Sequence, residues 1–65
     1  MTKDQFPVGT LLTRGCWSIL VLAWSDDGKR ATVLFEDGEI LNRGDLTIKA
    51  YAAQHNVIIL LPVDH

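Results

Sequence analysis

Apolar positions along this chain fall into short blocks, and three of the blocks follow one another with only polar turns between them. Positions 17–24 (Trp-Ser-Ile-Leu-Val-Leu-Ala-Trp), 30–35 (Arg-Ala-Thr-Val-Leu-Phe) and 39–42 (Glu-Ile-Leu-Asn) read as consecutive strands. The linkers 25–29 and 36–38 each contain Asp-Gly, a dipeptide that accepts the positive φ of tight hairpin turns. A β-meander is therefore expected at the centre of the chain.

Upstream, residues 8–13 form a plausible first strand, stopped by Arg14-Gly15, after a tail (1–7) that Phe6 would staple to the body. In the second strand, strict alternation sets Trp17, Ile19, Val21 and Ala23 on one face and Ser18, Leu20, Leu22 and Trp24 on the other. From 19 to 24 both faces are apolar, so something must cover the second: the C-terminal segment, another copy or a different protein. In the third strand Ala31, Val33 and Phe35 are the inward set. Thr32 and Glu36 lie outward, as does Leu34, which would sit beside Leu20 or Leu22. Farther on, Leu46, Ala50 and Ala53 fit a helical stripe that Asp45 would cap and Asn56 close, giving a short helix or helical turn within 46–54. The five apolar residues 57–61 predict a last strand buried on both faces, paired with the first and closing the sheet.

The run Val33-Leu34-Phe35-Glu36-Asp37-Gly38, followed by Gly44-Asp45-Leu46, resembles the pattern of SH3-like and Tudor-like small β-barrels. The resemblance covers roughly positions 9–61 and is one of fold. It implies a mainly β, five-stranded small barrel with a short helix or helical turn before the last strand. One domain then spans 8–65, behind a flexible tail. Readers of methylated lysine or arginine in this superfamily hold the cation in an aromatic cage. Trp17 and Phe35 would match two walls of such a pocket, whereas Ile40 stands where a further aromatic is expected. Core packing is the stronger expectation for both rings.

Composition narrows the function. At 65 residues with a single cysteine, the chain has no intramolecular disulfide to support a core of limited size. Cys16, His55 and His65 have no usual zinc spacing, and association is the remaining support. A net charge of −2 argues against non-specific nucleic-acid binding. Apolar runs far below the ~20 residues of a membrane span, no apolar leader and one free thiol make a cytoplasmic protein without membrane contact the expectation. Catalysis would need a base near Cys16 or Ser18, for which His55 is the candidate, and packing is the simpler role for a cysteine beside Trp17. Asp26, Asp27, Glu36, Asp37 and Glu39 read as turn chemistry, and Arg43-Gly44-Asp45 as a chance match to an adhesion tripeptide. No catalytic set, metal site or cofactor is called for.

The expected role is a non-enzymatic interaction or regulatory module. It would bind itself or a protein partner through Leu20, Leu22, Trp24 and Leu34. The alternative is a nucleic-acid-binding barrel using Arg14, Lys29, Arg30, Arg43 and Lys49, with Arg14 and Arg43 close together. Acidic neighbours make a solvated mixed-charge rim the simpler role for these cations.

Overall fold

In a computed structural model, which describes residues 2–62, the meander forms as expected. Strands β1 (Leu11–Arg14), β2 (Trp17–Trp24), β3 (Arg30–Phe35) and β4 (Ile40–Gly44) are joined by hairpins, and β5 (Ile58–Leu60) pairs with β1. All pairings are antiparallel, in the order β4-β3-β2-β1-β5. A helical turn α1 (Thr2–Gln5) precedes the sheet, and helix α2 (Asp45–Ala52) lies between β4 and β5.

The hairpins follow from turn chemistry. Gly15, with φ +56°, fills the first position of the two-residue β1–β2 turn, where a type II′ turn needs positive φ. Gly38, with φ +88°, lies in the four-residue β3–β4 loop, 36–39: its amide donates to the Phe35 carbonyl (3.0 Å), and the Phe35 amide to the Glu39 carbonyl (2.9 Å). The five-residue β2–β3 loop, 25–29, closes on itself through Ser25 and Asp27. The Ser25 hydroxyl donates to Asp27 Oδ1 (2.6 Å), which also accepts from the Lys29 amide (3.0 Å).

One face of the sheet carries the core: Leu12, Ile19, Val21, Ala31 and Val33, with Ile48 from α2 and Phe6 from the N-terminal segment. Trp17, Trp24, Phe35, Tyr51, Ala52 and Val57 pack around it. Thr10 is also buried, its hydroxyl without a partner. Helix α2 lies over β3 and β4, with α1 against α2.

Several expectations are corrected. The sheet is open, with β4 and β5 as its two edges, so the barrel does not close. The chain leaves β4 directly into α2, which covers the core face where closing strands would have met. The last strand does pair with the first, but all three of its residues are exposed rather than buried on both faces. Phe6 does staple the N-terminal segment to the body, as a buried member of the core. The helix buries Ile48, with Tyr51 and Ala52 half-buried, while Leu46, Ala50 and Ala53 face solvent. Gly44 takes the N-cap position and Asp45 the first helical one, its carboxylate accepting from the Leu46 amide (2.8 Å). Asn56, at φ +66°, lies beyond the helix end at Ala52.

Candidate functional site

The position of Trp24 decides the shape of the outer face. Val21 pairs with Val33 but Ala23 with Thr32, so Leu22 is an extra residue, a β-bulge. A one-residue insertion exchanges the two faces for everything after it. Trp24 therefore packs against the core instead of joining Leu20 on the outside, and Ala23 takes the exposed side. The indole Nε1–H donates to the Phe6 carbonyl at 2.7 Å, tying the N-terminal segment to β2. Neither the bulge nor this bond is visible in a pattern of alternation.

What remains outside is more regular than expected. Leu20 lies directly opposite Leu34, as anticipated, and the same register continues in both directions. Leu60 pairs with Leu11, Leu11 with Leu20, Leu20 with Leu34, and Leu34 with Ile40. Directly opposed residues share a face. One apolar row thus crosses all five strands, with Leu11, Leu20 and Leu34 half-buried by their neighbours and Leu60 and Ile40 exposed at the ends. Leu11, Ile40 and Leu60 were not placed in this patch from the sequence. Their membership depends on pairing between distant segments, which local patterns do not encode. Beside the row, Thr13 and Ser18 are opposed on one side, in line with the exposed Ile58, and Thr32 and Asn42 on the other, in line with Ala23.

The aromatic pair Trp17 and Phe35 gains a third ring, Tyr51 of α2. Its ring centroid lies 5.9 Å from that of Trp17 and 6.4 Å from that of Phe35, tilted on the first and edge-on to the second. These are packing geometries between rings in mutual contact. The cluster clamps α2 to the sheet, and Ile40, the position of a further wall, lies on the outer face.

The basic residues do not form one surface. Arg14 sits opposite Trp17, at one end of β2, whereas Arg43 is opposite Ala31, itself opposite Trp24 at the other end. At ~3.4 Å per residue that strand separates them by roughly 20 Å, so the expected approach of Arg14 to Arg43 does not occur. Arg14 Nη1 donates to Gln54 Oε1 (3.0 Å), Arg30 Nε donates to Asn42 Oδ1, and Arg43 Nη1 makes a long contact to the Asn42 carbonyl (3.5 Å). Lys29 lies in the β2–β3 loop and Lys49 on the exposed side of α2.

Cys16 is exposed in the β1–β2 turn, and no hydrogen bond joins it to the exposed His55; His65 lies outside the described residues. Among the described residues no group of three or more His, Cys, Asp and Glu side chains is placed to hold a metal ion. No helix among them is long and apolar enough to cross a membrane. Comparison with protein families, with curated proteins and with solved structures found no match to this chain.

Proposed function

We propose that this protein is a non-enzymatic interaction module whose binding surface is the outer face of its sheet, centred on Leu20 and Leu34. The carrying observation is the in-register row Leu60, Leu11, Leu20, Leu34 and Ile40. Five aligned aliphatic side chains, flanked by Thr13 and Ser18 on one side and by Thr32 and Asn42 on the other, make a contiguous apolar stripe with a largely polar rim, the composition of a protein-binding patch. A sheet face that only met water would alternate apolar-in with polar-out. The meander with a helical segment before its last strand also supports an SH3-like or Tudor-like ancestry, but the row, not the ancestry, carries the functional reading.

Leu34 is the residue to change. It stands mid-row, opposite Leu20 on one side and Ile40 on the other, and away from the core. With a purified partner, Leu34→Glu is expected to weaken binding at least tenfold while the far-UV circular dichroism stays native, because a carboxylate would be desolvated at the centre of the contact. Equal affinity of the two forms, measured by calorimetry, would sink the proposal. Binding that instead tracks Arg30 or Arg43 and collapses with salt would point to nucleic acid.

A further inference from the structure

The two edges of the sheet are not alike. Edge strand β4 carries Asn42 and Arg43, and runs straight into α2, which packs against it. Such polar and covered edges resist pairing with other chains. Edge strand β5 has none of these protections. It is Ile58-Ile59-Leu60, hydrogen-bonded to β1 on one side only, with no charge or proline from Val57 to Leu61. Its residues are 58%, 41% and 51% exposed. Of the seven large apolar side chains exposed among the described residues, Ile58, Ile59, Leu60 and Leu61 belong to this segment. A fifth, Val8, adjoins it through Gly9, where an added Cβ would come within 3.0 Å of Pro62 Cβ. The apolar surface this chain leaves open is concentrated at one unpaired edge.

We propose that a second copy of this chain docks there, β5 pairing antiparallel with the partner's β5 about a two-fold axis. This would join two five-stranded sheets into one of ten strands. The proposal deepens the functional reading above and rests on its premise that the exposed apolar surface serves association. Self-pairing fits because the strand is complementary to itself. Centred on Ile59, the antiparallel register sets Ile59 against its own equivalent on the helix side of the sheet. It sets Ile58 against the partner's Leu60 on the outer side, so every cross-strand pair is apolar and no charge is buried. Both edges contribute the same patch, as a two-fold interface requires. The row ending at Leu60 then meets the partner's Ile58, and the partner's own apolar row starts beside it, two residues along the strand.

The interface is small. A contact at the low end of the specific class buries less than ~600 Å² per partner, roughly one-seventh of the 4308 Å² surface of this chain. Dimerisation is therefore concentration-dependent, and sedimentation equilibrium from about 10 µM to about 1 mM brackets the affinities such contacts give. Wild type is expected to move from 7.2 kDa toward twice that mass. Ile58→Lys, which places a charge on the free edge, is expected to stay monomeric with native circular dichroism. Leu34→Glu, three strands from the contact, is expected to dimerise like wild type. A wild type that remains monomeric throughout, or an Ile58→Lys variant that dimerises equally, overturns the proposal. Should Ile58→Lys fail to fold, the amides of residues 58–60 in wild type decide: their hydrogen exchange is expected to slow as concentration rises, and unchanged exchange overturns it. A monomeric wild type would leave the outer-face reading standing, since that one fails only on the Leu34 comparison with a partner.

Discussion

The carboxylate of Asp27 accepts hydrogen bonds from the Ser25 hydroxyl and, second in weight, from the Lys29 amide, and these hold its pKa below the ordinary 3.8. Hydrogen bonds that favour the charged form lower a carboxyl pKa, and the lowering links folding to pH. Because the folded value is the depressed one, the stabilisation is fully present above 3.8, the unfolded value, and is lost as pH falls through the lower folded value. A carbon-detected titration should find the Asp27 midpoint below 3.8, and Ser25→Ala should move it back up. A midpoint unmoved by Ser25→Ala would show that the hydroxyl is not the cause. This loop was legible in the sequence because Ser25, Asp27 and Gly28 make their turn with one another, within five residues. The face taken by Trp24 was not, because it depends on how β2 registers against β3.

That register gives the strands and the helix their instructive departures. Alternation identified β2, and its first three core residues, Trp17, Ile19 and Val21, correctly. It failed past Val21, where the bulge at Leu22 inverts the pattern. Trp24 then packs against the core, and its indole N–H donates to the Phe6 carbonyl, one of the bonds that hold the N-terminal segment. Helix α2 shows the same limit. A stripe of Leu46, Ala50 and Ala53 has helical spacing, but burial selects Ile48, Tyr51 and Ala52, because Tyr51 must reach Trp17 and Phe35. Local spacing finds an element; only packing chooses its phase. Trp24→Phe keeps an aromatic ring but removes the donor together with part of the indole's packed volume. Of its cost, about 1–3 kcal/mol is expected from leaving a partly buried carbonyl unpaired. Thermal unfolding reads this as a fall of about 4–8 °C per kcal/mol in a domain of this size. An unchanged midpoint would mean that the hydrogen bond contributes nothing to holding the N-terminal segment.

The described residues are as compact as a globular domain of this length is expected to be. Their radius of gyration is 10.9 Å, and about 11 Å is expected for a globular domain of this size. The exposed apolar edge is therefore not a symptom of loose packing; it is what remains when a small core is already full. Such a core rarely supplies more than about 3–5 kcal/mol. Ile48 is fully buried and is the only fully buried side chain that α2 contributes, so it fastens the helical layer to the sheet. Ile48→Ala removes about 2–5 kcal/mol at such a site, which is comparable to everything the fold has. Ile48→Val, at about 0.5–1.5 kcal/mol, leaves a margin. At micromolar concentration the alanine variant is expected to be largely unfolded by circular dichroism and the valine variant folded. Raising the alanine variant to millimolar concentration should restore strand signal, because a dimer of folded chains draws the unfolding equilibrium back by mass action. Refolding on concentration that Ile58→Lys abolishes would tie the marginal core and the open edge to one cause. An alanine variant that stays folded at every concentration would show that the core holds more than its size suggests, and the edge would lose its role in stability.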